Sequence, residues 1–159
     1  SYLNNEMLDS LELPNNTNGT YFEDPAWGVN LHPAEIPQAA IEQSQKLLNI
    51  KELPEDFFGC FVTKLDPEDE KKFNEVMAYQ NKEEIEESSL YRLHPICRVA
   101  YQLTNKKLMV FINGEVFDCS NIDYDLVIDF ANSRQLRLNN KNRALAERLI
   151  SLSLIEKST

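Results

Sequence analysis

The chain has 159 residues, 42% of them hydrophobic and 26% charged, with a formal net charge of −10. Such a composition can bury a core, which excludes wholesale disorder, and no apolar run approaches the roughly 20 residues that cross a bilayer. The charge is uneven: residues 1–95 carry 7 basic and 19 acidic side chains against 9 and 7 in residues 96–159, which opposes nucleic acid as the main partner.

Taken in order, Leu3, Met7, Leu8 and Leu11 have nearly helical spacing and read as the tail of a helix that packs on something upstream. Pro14 stops it, and Asn15 to Gly19 is turn chemistry. The stretch from Thr20 to Leu31 reads as an extended strap, because Asp24 precedes a proline and Trp27 offers a large ring to bury. Residues 1–32 are therefore expected to be the end of an upstream domain and a strap.

Pro33 suits the first turn of a helix running to Ile50. Ile36, Ala39, Ala40, Leu47 and Ile50 share one face, while Ile41 and Leu48 form a second apolar stripe, so this helix needs two partners. Pro54 opens another helix with Phe57, Phe58, Phe61 and Leu65 on one side. Gly59 inside it costs roughly 1 kcal/mol relative to alanine, tolerable where another backbone comes close. Asp66-Pro67 is a helix cap followed by proline at the first helical position, and Glu68, Asp69 and Glu70 favour the positive end of the helix dipole. Phe73, Val76 and Met77 are expected on the buried face. Residues 33–80 thus read as a helical dimerisation bundle, with Ile41, Leu48, Phe57, Phe58 and Phe61 as its candidate dimer or packing surface.

Asn81 to Ser89 reads as an acidic connector with a short helix around Ile85. From Ile96 the period shortens to two: Cys97, Val99, Tyr101 and Leu103 alternate with Ile96, Arg98, Ala100 and Gln102, as in a strand with one buried face. Asn105-Lys106-Lys107 can turn, Leu108 to Ile112 is an apolar strand, and Asn113-Gly114 is a strong hairpin signal before Glu115 to Cys119. A buried helix follows Asn121, then a short strand at Leu136 to Leu138, a cap at Asn139 or Asn140, and a helix from Ala144 to Ile155. The fold class expected is α+β: the bundle at 33–80, then a winged-helix-like domain at 82–159 with a three-stranded antiparallel meander.

Catalytic constellations are missing from this pattern. His32 and His94 are each followed by proline, and neither starts the His-x-Asp/Glu pair of an iron-binding facial triad. No zinc-type spacing exists. The four glycines are scattered, which excludes a phosphate loop. Cys60, Cys97 and Cys119 are an odd number without paired spacing, and no signal-peptide pattern opens the chain, so reduced thiols and a cytoplasmic location are expected. Arg134, Arg137, Lys141, Arg143 and Arg148 crowd the last helix, a pattern that solvation or a protein contact explains better than phosphate binding. No catalytic, cofactor-binding or metal-ligating residue is assigned.

Tyr21-Phe22-Glu23-Asp24-Pro25, His32-Pro33-Ala34-Glu35-Ile36, Phe57-Phe58-Gly59-Cys60-Phe61 and, more weakly, Phe111-Ile112-Asn113-Gly114-Glu115 resemble the C-terminal half of bacterial JmjC-type, cupin-fold ribosomal-protein hydroxylases. The resemblance implies an upstream barrel that binds iron(II) and 2-oxoglutarate, with the present residues supplying a homodimer contact and presenting a ribosomal-protein substrate. The barrel's ligands match no position here, so the segment alone is expected to be inactive. The alternative is a stand-alone winged-helix regulator or adaptor that binds nucleic acid or protein.

Overall fold

The computed structural model describes residues 32–48, 54–79 and 84–159. The expected upstream helix tail, the strap with Trp27, and Ile50 lie outside the described residues. Within them the elements are α1 (Gln38–Leu48), α2 (Phe57–Thr63), α3 (Pro67–Tyr79), β1 (Leu90–Leu93), β2 (Val99–Thr104), β3 (Lys107–Ile112), β4 (Glu115–Phe117), α4 (Tyr124–Ser133), β5 (Gln135–Arg137), α5 (Arg143–Ser151) and β6 (Ile155–Lys157). The fold is α+β, with five helices and two antiparallel three-stranded sheets among the described residues.

The meander β2–β3–β4 forms as the alternation predicts, with Val99 opposite Ile112 and Val110 opposite Phe117. Both of its turns are two residues long and left-handed: Asn105 and Lys106 have φ of 48° and 66°, and Asn113 and Gly114 have 53° and 84°. These values match the backbone twist of antiparallel strands.

Both faces of this sheet are covered, which corrects the expectation of one buried face. Tyr101, Leu108, Val110, Ile112 and Phe117 point into the main core with Val127, Phe130, Leu145 and Leu149. Ala100 and Phe111 point the other way into a second cluster with Ile36, backed by Ile41, Phe58, Cys60 and Met109. Double cover explains why β3 is apolar along nearly its whole length.

The helices of 33–80 are present, but α2 takes most of its cover from β2, β3 and β4 and not from neighbouring helices. Helix α1 begins at Gln38 and not at Pro33, because residues 34–36 lie along the edge of β2. The Ile36 N–H donates to the Tyr101 carbonyl and the Tyr101 N–H to that of Ala34, each at 2.7 Å. Asn132 on α4 secures this arm by accepting the Ala34 N–H at 3.1 Å through Oδ1. Ala39 and Leu47, expected on the buried face of α1, are exposed; Ala40 is buried, and Ile41 and Leu48 are half-buried. Helix α3 begins as predicted, with Asp66 Oδ1 accepting the Asp69 N–H at 2.9 Å. Its Phe73 is buried, whereas Met77, expected beside it, is exposed.

The second sheet, in the order β5–β1–β6, was only partly foreseen. Residues 84–89 form no helix; Ser88 adopts a φ of 65° and its N–H donates to Leu138. Strand β1 follows at once and pairs with both β5 and β6. The last helix stops at Ser151 and not at Ile155, since Ile155–Lys157 is taken up as a strand beside β1. Among the described residues, no helix is long and apolar enough to cross a membrane.

Candidate interaction surface

The end of α2 is tied to the β3–β4 turn by a small polar joint. Thr63, 2% exposed, donates its hydroxyl to the Gly59 carbonyl at 2.8 Å and accepts the Gly114 N–H at 3.0 Å. Gly114 needs its left-handed φ of 84°, and a Cβ there would come within 3.2 Å of the Lys64 Cα. Arg98 completes the joint: its guanidinium donates to the Lys64 carbonyl at 2.9 Å and lies 3.5 and 3.6 Å from Asp66 and Asp69. Asn113 receives the Arg98 N–H on Oδ1 and donates its own N–H back to Arg98. Residues from either side of the expected boundary at 80–82 thus share one hydrogen-bond network.

Beside this joint runs a groove of about 850 Å³ bordered by α2, α3, β4 and the chain after α5. Its floor includes Phe57, Leu65, Phe73 and Phe117, all buried, and among the described residues its rim carries Asp56, Glu70 and Glu115 against one cation, Lys64. Val116 and Leu152, about half exposed, stand at its edge. Cys60 also lines it; burial, followed by the nearby Asp56 and Glu115 charges, pushes its thiol pKa up, so the thiolate is disfavoured.

The five candidate surface residues do not share one face. Phe57 is buried and stacks on Phe61 with centroids 6.2 Å apart, one helical turn on. Ile41 and Phe58 back the second core cluster instead, and Leu48 is half-buried. Phe61, at 43% exposure, is the one of the five that the structure presents to solvent. Val62, Met77 and Tyr79 join it as exposed apolar side chains of α2 and α3; periodicity placed Met77 on the buried face and did not single out Val62 or Tyr79.

The basic cluster of the last third disperses once folded. Arg134, held left-handed at the end of α4, donates to the Cys97 carbonyl at 2.7 Å. Arg137 donates to Ser88 and Arg148 to Asp118. Three of the five cations therefore close loops of this chain. Lys141 and Arg143 are exposed.

The histidines take structural places. His94 packs edge-on against Phe73, with centroids 6.1 Å apart, and His32 lies beside the Asn132 amide. Among the described residues no group of three or more His, Cys, Asp or Glu could hold a metal ion. These residues therefore do not fit the iron site that the sequence resemblance implies for an upstream barrel. Cys97 and Cys119 are buried and unpaired with one another; burial raises the pKa of both thiols, as expected for inert core cysteines.

A β-hairpin packed between helices in a small α+β unit is the arrangement of a winged-helix domain, the class that the family match gives for this chain. The ROXA-like winged helix family matches residues 43–154, and the chain belongs to that family. A comparison with curated proteins gives no match. Among solved structures the chain is similar to YcfD, a ribosomal oxygenase from Escherichia coli, at 19% identity and a TM-score of 0.39. That similarity covers 89% of this chain and 42% of the other, so the chain spans less than half the length of that protein.

Proposed function

We propose that this chain is the dimerisation and substrate-presentation segment of an iron- and 2-oxoglutarate-dependent JmjC-type ribosomal-protein hydroxylase, and that it contributes no catalytic residue itself. Membership of the ROXA-like winged helix family over residues 43–154 is the observation that carries the reading. Pairing of two copies is supported by Phe61, Val62, Met77 and Tyr79, which α2 and α3 leave exposed up to the 87% of Tyr79. Phe61 and Val62 on α2, with Met77 and Tyr79 on α3, are the exposed apolar side chains that a second copy would cover.

Sedimentation equilibrium over a range of concentrations tests the pairing. A reversible dimer is expected, and Phe61→Asp combined with Tyr79→Asp is expected to yield a folded monomer. A wild-type chain that stays monomeric at high concentration overturns the dimer. For the catalytic context, the encoding reading frame is expected to place a cupin barrel with a His-x-Asp…His pattern ahead of Ser1; a frame without one removes that part of the proposal.

A further inference from the structure

We infer that the groove beside β4 binds an extended basic peptide, which adds to the β4 edge and sets apolar side chains on the groove floor. This deepens the presentation role proposed above, on which it rests, by naming the chemistry presented.

Three observations converge. The first is a sheet edge free among the described residues: in the order β2–β3–β4 the strand β4 is terminal, whereas the opposite edge of β2 is already occupied by Glu35. Across the turn Ile112 pairs with Glu115, Phe111 with Val116 and Val110 with Phe117. The alternation of an antiparallel ladder then turns the N–H and C=O of Val116 outward, ready for a further strand. The second is the floor, where Phe57, Leu65, Phe73 and Phe117 lie beside that edge. Alternate side chains of an added strand point to opposite sides, so every second residue can reach this floor.

The third is charge. Among the described residues Asp56, Glu70 and Glu115 outnumber Lys64 around the groove, and the whole chain carries −10. Asp66 and Asp69 on the neighbouring linker and helix are engaged with Arg98. An anionic ligand meets repulsion here, and a lysine- or arginine-bearing one is steered in.

The test titrates the full chain with a short fluorescent peptide that alternates leucine with lysine. Saturable binding that weakens with salt is expected, with none for the analogue carrying glutamate in place of lysine. A peptide N-methylated at every residue has no backbone N–H to offer the edge and is expected to lose binding. Glu70→Lys combined with Glu115→Lys, both exposed sites, is expected to weaken binding by about tenfold or more while leaving the circular dichroism spectrum unchanged. Bound peptide is also expected to slow alkylation of Cys60.

No binding at low salt overturns the inference, as does equal binding of the glutamate peptide. Equal binding of the N-methylated peptide overturns the strand addition. Were Glu70→Lys with Glu115→Lys to abolish a sedimenting dimer and leave peptide affinity unchanged, the groove would belong to a second copy of the chain. Dimer formation is read by sedimentation alone, so failure of the pairing and failure of the peptide site are distinguishable.

Discussion

The ring of Phe111 fills the space that a side chain at Gly59 would need: a Cβ on Gly59 would sit 2.2 Å from the Phe111 Cε2. Phe111 is fully buried near the end of β3, so neither partner can move aside without reopening the contact between α2 and the sheet. In an open helix Gly59→Ala would gain roughly 1 kcal/mol from helix propensity. Here overpacking is expected to outweigh that gain and give a net loss of about 1–3 kcal/mol in urea unfolding. Adding Phe111→Leu makes room, so the double variant is expected to lose less than the sum of the two single losses. A neutral or stabilised Gly59→Ala would show that the ring is not a fixed part of the joint.

Thr63→Val isolates the hydrogen bonds of the same joint. Valine nearly matches the shape of threonine but leaves the Gly114 N–H without the acceptor it has at 3.0 Å. A buried donor stripped of its partner costs about 1–3 kcal/mol, and the part-buried Gly114 N–H is expected at the low end of that range. The expected result is a loss of that size in chemical denaturation, with faster hydrogen exchange at the Gly114 amide than at core amides of β3. Thr63→Ser retains the hydroxyl and is expected to keep most of the protection. Equal exchange in Thr63→Val and wild type would remove Thr63 from the joint.

How far the sequence made this fold legible depends on the range of the interactions. The meander and its Asn113-Gly114 turn were readable because alternation and positive-φ residues act locally, and the Asp66-Pro67 start of α3 was readable for the same reason. Strands β1 and β6 were not: each is short and gains its identity from pairing with a segment far away, Tyr91 with Lys157 and Arg92 with Glu156. Pro33-Ala34-Glu35-Ile36 looked like a helix start, yet the unpaired edge of β2 draws it out. Gly59 was expected to meet a backbone and meets an aromatic ring instead. The candidate surface was the least legible part, since helical spacing alone cannot say that Phe58 turns into the sheet while Phe61 stays outside.

The arginines near α5 are expected to act on stability and not on nucleic acid. Arg134 donates a part-buried charged hydrogen bond to the Cys97 carbonyl, and loss of such a bond costs about 1.5–3 kcal/mol. Arg134→Gln is therefore expected to lower the denaturation midpoint. A labelled DNA duplex is expected to show no mobility shift with the wild-type chain even at low salt, where phosphate contacts are strongest. A salt-sensitive shift weakened by Arg137→Gln at unchanged stability would favour the alternative, a stand-alone winged-helix regulator.

Acid sensitivity follows from three exposed carboxylates held below their usual pKa range. Asp66 is lowered chiefly by the Asp69 N–H it accepts, with Arg98 contributing; Glu86 by its hydrogen bond and ion pair with Lys157; and Asp118 by the Ser120 hydroxyl and N–H. In the unfolded chain each returns to an ordinary value, so unfolding at acid pH takes up protons. A depressed folded pKa gives stability that is complete above the unfolded value and is lost as pH falls through the folded one. Urea midpoints are therefore expected to hold steady at neutral pH and to decline through and below the ordinary carboxylate range. Combining Asp66→Asn, Glu86→Gln and Asp118→Asn is expected to lower stability at neutral pH and to flatten the acid decline. Exposure and salt screening keep each contribution small, so the comparison is best made at low ionic strength. An acid slope identical in the triple variant and wild type would assign the decline to other groups.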